Sequence, residues 1–175
     1  MASVPAPRTW TVGEQLTAAK LNNELRNALN FLLAPPLCKL GLSVNAALGS
    51  GGGRIPWSVE EVDRDDGHSI STDTTRYTAK TAGYYATECT VGIMPNSATK
   101  YRGLYIERNG DGTSGIGRIQ VAPVNDTTLG TTVNVAASAF LSVGEYLEVR
   151  MVQDPGVSMS VYAAGTVWTL RWVSI

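Results

Sequence analysis

In the stretch RYTAKTAGYYATECTVGI, residues 76–93, side chains typical of a protein interior alternate with other side chains after Gly83. One side of this alternation consists of Tyr85, Thr87, Cys89, Val91 and Ile93. Successive side chains of a β-strand point to opposite faces, so a period of two predicts a strand with one buried face. We therefore expect residues 85–93 to form a long strand in a mainly β protein.

The same period of two returns in most of the chain from residue 37 onward. Its runs are 40–44, 55–59, 104–106, 119–121, 133–141, 147–151 and 168–172. Turn signals separate these runs, and Asn109-Gly110 is the strongest hairpin signal among them. About eight to ten strands with no helix between them predict an antiparallel sandwich or barrel.

Composition limits the partners that this β-domain can have. The 175 residues suit one good-sized domain plus an arm. The net charge is −1 and no run of lysine or arginine occurs, so a nucleic-acid partner is not expected. No apolar run approaches the length of about 18 residues that spans a bilayer, so membrane insertion is not expected. A secretory signal peptide is not expected either, which indicates synthesis in a cytoplasm.

A different period marks the segment LNNELRNALNFLLAPP, residues 21–36. Its apolar side chains have the spacing of one helix face, and they are Leu21, Leu25, Ala28, Leu29 and Leu32. Thr17 is the expected N-cap, and Pro35 pushes Ala34 out of the helical region. The pattern predicts an amphipathic helix of about 16 residues, roughly 24 Å long.

This helix is marginal alone in water, so its apolar face needs a partner. Two partners are open: the β-domain of the same chain, or another molecule that the helix docks on or associates with. The spacings of 4, 3 and 4 from Leu21 to Leu32 are those of a short coiled-coil seam. The double proline separates the helix from the strands. Both features favour a helix used for trimerisation or anchoring.

Five short elements of the N-terminal sequence carry a family resemblance. They are Trp10, Gly13-Glu14, Thr17-Ala18, Leu21-Asn22 and Arg26. With these elements, residues 8–36 resemble the N-terminal segment of small virion proteins of tailed bacteriophages, of the minor tail or fibre-like kind. The resemblance implies that this segment attaches the protein to a particle.

A second resemblance covers residues 54–175. Its matching pieces are IPWSVEEVDRDDGHS, RYTAKTAGYYATECTVGI, YRGLYIERNG, FLSVGEYLEVRMVQ and TVWTLRWVSI. In this order they are similar to the tumour-necrosis-factor/complement-type jelly roll. The resemblance implies an antiparallel jelly-roll β-sandwich of two sheets that assembles as a homotrimer.

The two resemblances divide the chain into three parts. Residues 1–36 are expected to form an N-terminal arm and an anchoring or trimerisation helix. Residues 37–53 are expected to form a strand and a glycine-rich linker, because LGSGGGR at 48–54 has the composition of a flexible hinge or wide turn. Residues 54–175 are expected to form the jelly roll.

Together the resemblances imply a structural, homotrimeric surface protein of a tailed-phage virion. In a minor tail or fibre-like position the helix would anchor the protein and the jelly roll would project outward. Two alternatives stay open: a capsid decoration or head-fibre protein, and a stand-alone carbohydrate-binding adhesin that stacks Tyr101 and Tyr105 on sugars. The expected partners are further copies of the chain, other virion proteins and host-surface glycans.

Catalysis is not expected from this sequence. His68 is the single histidine, and it lies in a polar turn away from Cys38 and Cys89, so neither a catalytic triad nor a zinc spacing is present. The two cysteines are expected to be reduced, buried thiols. Carboxylates for glycoside hydrolysis would have to come from Glu60, Glu61, Asp63, Glu107 or Asp111, none of which shows a motif.

The candidate metal ligands are Asp63, Asp65 and Asp66, which precede Gly67. Their spacing matches part of a calcium loop, but the glutamate that would close the loop is missing. A solvated turn is the first interpretation. Calcium stays an alternative, because some jelly rolls of the resembled family bind it. No other cofactor is expected.

Overall fold

The structure, a computed structural model, describes residues 8–96, 101–110, 115–121, 130–153 and 158–175. These residues form one helix and twelve strands. The strands are β1 (Leu37–Gly41), β2 (Ala46–Ser50), β3 (Gly52–Arg54), β4 (Val59–Asp63), β5 (Arg76–Thr78), β6 (Gly83–Ile93), β7 (Arg102–Arg108), β8 (Gly115–Val121), β9 (Thr131–Leu141), β10 (Tyr146–Gln153), β11 (Ser158–Val161) and β12 (Val167–Ser174).

The strands pair into two antiparallel sheets. In sheet I, the strands β9, β6, β12, β1 and β4 lie side by side, and the pair β11–β2 continues the sheet from the end of β6. In sheet II, β8, β7 and β10 lie side by side, and both β5 and β3 pair with the free edge of β10. The chain crosses between the sheets several times, and its first strand pairs with its last described one. This confirms the predicted antiparallel jelly-roll β-sandwich.

The core lies between the two sheets and is lined by the alternating residues. Tyr85, Cys89, Val91 and Ile93 on β6 are fully buried, which confirms the predicted inward face of this strand. The largest buried side chains are aromatic. Trp57 and Trp168 pack with ring centroids 5.5 Å apart, and Trp168 Nε1 donates a 2.7 Å hydrogen bond to the hydroxyl of Thr87. The buried cysteines are free thiols.

The predicted N-terminal helix is present, and it contains a turn that the sequence did not predict. It is α-helical over Ala18–Leu21, π-helical over Asn22–Arg26 and α-helical again over Asn27–Leu33. The Thr17 hydroxyl accepts a hydrogen bond from the Lys20 amide at 3.3 Å, as expected for its N-cap. No helix in the described ranges is both long and apolar enough to cross a membrane.

The helix is joined to the sandwich at its C-terminal end. Phe31 is the one buried residue between positions 18 and 33, and its ring meets Trp172 of β12 edge to face at 4.9 Å. Directly after the helix, the carbonyl of Pro36 accepts a 3.0 Å hydrogen bond from the Trp172 amide. These contacts hold the base of the helix at one end of sheet I.

The expected glycine-rich linker is part of the sandwich instead. Residues 46–54 form β2 and β3, which pair with β11 and β10, so the jelly roll includes residues 37–53 as well as the described residues from 54 onward. The glycines are needed for close backbone approach. A Cβ at Gly53 would lie 2.9 Å from the Leu48 carbonyl oxygen, and one at Gly52 would overlap the Met151 carbonyl. The sequence signal of flexibility was therefore a signal of tight packing.

Gly83 begins β6 and makes room for Trp172. Its φ is +149°, and a Cβ there would overlap the Trp172 indole nitrogen. We expect Gly83→Ala to lower the free energy of unfolding by about 2–4 kcal/mol, from overpacking plus backbone strain. Gly144→Ala is the matched control, because Gly144 has a φ of +90° but nothing within 4 Å of its Cβ position. Equal urea midpoints for the two variants would contradict the crowding argument.

Candidate interaction surfaces

The outward face of sheet I carries an apolar patch at the end where the helix is attached. Tyr84 on β6 and Phe140 on β9 are register partners, 48% and 42% exposed, and their rings meet edge to face at 5.4 Å. Val173 lies on β12 at the bulge opposite Tyr84 and is 53% exposed. We call these three residues the Tyr84 patch. Because exposed apolar patches are common at protein contacts, the Tyr84 patch is a candidate contact surface.

Away from the Tyr84 patch, the side chains on the same face of sheet I are first small and then polar. Ala86 on β6 and Ala136 on β9 line a shallow trough, with Arg171 of β12 at its side. At the far end, Asn134 donates hydrogen bonds to Glu88 at 3.1 Å and to Thr90 at 2.7 Å. The small side chains allow another surface to approach the sheet closely, while the polar end already satisfies its own groups.

The predicted apolar face of the helix is exposed rather than packed on the sandwich. Leu21, Leu25, Leu29 and Leu32 are 40–71% exposed, and Leu33, which the sequence prediction left out, is 80% exposed. Ala28 differs from the prediction, because it is half-buried on the side of Phe31. The face that contacts the sandwich is therefore separate from the leucine face.

The π turn explains which leucines line up. In an α-helix of 3.6 residues per turn, residues four apart drift by about 40° at each step. A π turn holds more residues, with hydrogen bonds from i to i+5, and so removes this drift. The turn spans Asn22–Arg26 and offsets the drift of the α-helical turns around it, so the exposed leucines spaced by four lie in a row along one side of the helix: Leu21, Leu25, Leu29 and Leu33. We call this row the leucine line. The predicted heptad seam passes through Ala28 and Leu32 instead of Leu29 and Leu33, and it stays a prediction.

The arm before the helix folds back beside its first turns. The Glu14 carboxylate pairs with Arg8 and, at 2.7 Å, with Lys20, and these interactions together with Thr11 lower the pKa of Glu14 to about 2. The hydrogen bond from Lys20 is the largest cause of this shift. A groove results between Trp10 and Leu16 of the arm and the leucine line. The arm thus extends the apolar surface of the helix.

The candidate calcium ligands are not gathered around one point. Asp63 accepts hydrogen bonds from the backbone amides of Gly67 at 3.2 Å and His68 at 2.8 Å. Asp65 accepts from the Tyr77 hydroxyl at 2.9 Å, and burial raises its pKa. Asp66, the residue after Asp65, has a positive φ of 54°. No cluster of three or more metal-ligating side chains occurs within the described ranges. The calcium alternative stays a prediction.

His68 holds the same loop to the sandwich. Its side chain is fully buried, although it follows the polar residues of the DRDDGHS segment, where an exposed histidine was expected. Nδ1 lies 2.8 Å from the Glu60 carboxylate of β4, and Nε2 lies 3.1 Å from the Thr74 carbonyl oxygen. The imidazole therefore bridges β4 and the loop before β5, which is a structural role.

Replacing His68 is expected to loosen this loop. His68→Ala removes the imidazole partner of the Glu60 carboxylate and one of the two partners of the Thr74 carbonyl, which keeps the Trp57 amide. We expect a loss of about 1–3 kcal/mol in unfolding free energy. Ser71→Ala, in the exposed part of the same loop, is the control and should stay within about 0.5 kcal/mol of the wild type. The urea midpoint measures both. A His68→Ala midpoint as close to wild type as the control's would contradict the bridging role.

The other candidate catalytic groups are engaged in structural contacts. Glu107 is buried between Arg54 and Arg150, each with a nitrogen 3.4 Å from its carboxylate. Burial raises the pKa of both Cys38 and Cys89, which keeps these thiols protonated. Asp111 lies outside the described residues. The prediction that the chain is not an enzyme stays a prediction.

The two tyrosines considered for sugar stacking are half-buried. The guanidinium of Arg118 lies over the Tyr105 ring, 4.8 Å from its centroid. That face of the ring is therefore covered by a cation of the same chain. Tyr101 stands one residue before β7 and is half-buried as well. The expected glycan contact stays a prediction.

Comparison with known proteins identifies the class of this fold. No protein-family model matches the chain, and no curated protein matches it. Crystal structures of murine APRIL at pH 5.0 and pH 8.5 each match 79% of this chain and 98% of their own, with a TM-score of 0.59 and 16% identity. A third, at pH 8.0, has a TM-score of 0.58 and 15% identity. APRIL is a tumour-necrosis-factor-family jelly roll.

The described β-domain therefore has the tumour-necrosis-factor-like jelly-roll fold. This confirms the fold that the second resemblance implied. At this identity the likeness concerns the fold alone. The matches carry nothing on a phage origin, which rests on the N-terminal sequence only.

Proposed function

We propose that this chain is a structural, homotrimeric protein of a tailed-phage particle surface, without catalytic activity. The jelly roll projects from the particle, and the N-terminal helix anchors or trimerises. We place it in a minor tail or fibre-like position, with a capsid decoration or head-fibre position as the alternative. The phage assignment is supported by the resemblance of residues 8–36 to virion proteins of tailed phages.

The Tyr84 patch is the observation that carries the homotrimer. Tumour-necrosis-factor ligands, which share this fold, are homotrimers. In this chain two exposed aromatic rings are in contact on one sheet face, with an exposed valine on the neighbouring strand and a trough of small side chains beside them. A second and a third copy would remove this apolar surface from water at about 25 cal/mol per Å². The low content of charged side chains, 17%, suits such a contact.

The mass of the full chain in solution tests the homotrimer. One chain has a mass of 18.6 kDa, so light scattering should give three times this value, about 56 kDa. The value should persist on dilution into the micromolar range. A mass of one chain would contradict the proposed assembly.

Labelling of intact particles tests the position. Antibodies raised against the chain are applied to particles of the phage that encodes it and located by electron microscopy. Gold-labelled antibody along the tail supports the minor tail or fibre-like position, and gold-labelled antibody over the head supports capsid decoration. Particles that carry no label and lack the chain by mass spectrometry would contradict a virion protein of either kind.

A further inference from the structure

The leucine line has no partner within the described structure. Its four residues, Leu21, Leu25, Leu29 and Leu33, are between 40% and 80% exposed, and Leu32 beside them is 71% exposed. Over this line of roughly 18 Å the helix presents almost only leucine. Monomeric proteins rarely leave an apolar strip of this extent in water. The sandwich does not cover it, because the helix turns Ala28 and Phe31 toward the sandwich instead.

We propose that the same line from two further copies covers it, so that three parallel helices form a stem. This inference rests on the homotrimer of the proposed function, and it decides between the two roles left open for the helix. Each line would bury its leucines against the other two lines around the threefold axis. The helix would then be the trimer stem and not the contact with a neighbouring virion protein.

The charge pattern of the helix fits copies of itself. Around a cyclic axis each residue meets its own counterpart, so a charge on the contact line would face the same charge. The leucine line carries none. Of the three charged helix residues, Lys20 is bound to Glu14 at 2.7 Å and Glu24 is half-buried off the line. The third, Arg26, is exposed off the line and donates a 3.3 Å hydrogen bond to the Asn27 side-chain oxygen. The exposed remainder is mostly asparagine, which adds no repulsion between neighbouring copies: Asn22, Asn23, Asn27 and Asn30.

The attachment of the helix also fits this arrangement. Phe31 and Pro36 fix its base to Trp172, at the end of sheet I that carries the Tyr84 patch. If three patches meet around an axis, they bring three helix bases to that axis together. The stem and the patch would then form one continuous contact, in which each strengthens the other through a high effective concentration.

Cross-linking of an introduced cysteine tests the stem in the full chain. Both native thiols, Cys38 and Cys89, are fully buried, so Leu29→Cys supplies the accessible thiol among the described residues. Asn23→Cys is the matched control, because Asn23 is exposed on the same helix but off the leucine line. A short bis-maleimide reagent should link Leu29→Cys chains at least about tenfold faster than Asn23→Cys chains, at a rate that does not fall on dilution.

The outcomes separate the stem from the homotrimer. A trimeric mass with fast linkage at Leu29 supports both. A trimeric mass with equal, slow linkage of both variants, and of Leu25→Cys, overturns the stem and leaves the homotrimer standing, with the helix free for another virion protein. A monomeric mass for the wild-type chain overturns both proposals.

Discussion

Phe140→Asp is expected to convert the proposed trimer into a monomer. The substitution places a carboxylate in each of three patches that the assembly would bury, and desolvating an unpaired charge costs several kcal/mol. A loss of about 4 kcal/mol corresponds to roughly a thousandfold weaker association. Phe140 is 42% exposed in the single chain, so the isolated sandwich should tolerate the change. Light scattering across a dilution series measures the shift.

A matched variant separates the effect of the patch from that of added charge. Ile70 is 58% exposed in the loop before β5 and is not part of the Tyr84 patch. Ile70→Asp makes the same chemical change and should leave the mass unchanged. If Phe140→Asp dissociates at the same concentrations as the wild type, the outward face of sheet I does not contribute to the contact between copies.

The strands of this protein were predictable because burial imposes a period of two on the sequence. The alternation in β6 and β9 marked the inward faces of the two strands correctly. The Tyr84 patch was not predictable in the same way. Its rings come from strands more than fifty residues apart, and only the register between β6 and β9 brings Tyr84 opposite Phe140. One signal was available: in Gly-Tyr-Tyr, the tyrosine out of phase with the buried series had to face outward.

Two local features have a backbone geometry that spacing and composition did not reveal. The heptad interpretation of the helix assumed a uniform α-helix, whereas the structure has a π turn over Asn22–Arg26, with Ala28 half-buried and Leu33 exposed. Spacing alone does not reveal a wider turn. The glycine-rich stretch was taken as a hinge because glycine suits both flexible chains and close packing. Pairing of β3 with β10 decides between them, and that pairing joins residues about a hundred positions apart.

The calcium and histidine candidates show how a polar turn misleads. The DRDDGHS segment was expected to be solvated, and its aspartates do remain in a turn. However, Asp63 and Asp65 use their carboxylates to hold backbone amides and Tyr77, and His68 is buried under the same loop. These contacts depend on β4 and β5 lying nearby, so a sequence window of seven residues did not contain the information.

Trp168→Ala is expected to have the largest effect on stability. Trp168 is fully buried on the inner side of β12, packs on Trp57 at 5.5 Å, and donates to the Thr87 hydroxyl at 2.7 Å. Removing a buried aromatic ring of this size costs about 3–5 kcal/mol, from lost burial and the cavity that remains. Domains are stable by about 5–15 kcal/mol, so the variant should lose a large fraction of its stability. The urea midpoint followed by circular dichroism gives the value.

Trp168→Phe divides this effect into its two parts. The phenyl ring keeps most of the packing against Trp57 but cannot donate to Thr87, whose buried hydroxyl then loses a partner, at about 1–2 kcal/mol. Because assembly stabilises the folded chain by mass action, all variants are compared at one protein concentration in the Phe140→Asp background. A Trp168→Ala variant within about 1 kcal/mol of its parent would mean that β12 does not depend on this ring. The position of β12 in sheet I would then depend on its pairing with the neighbouring strands alone.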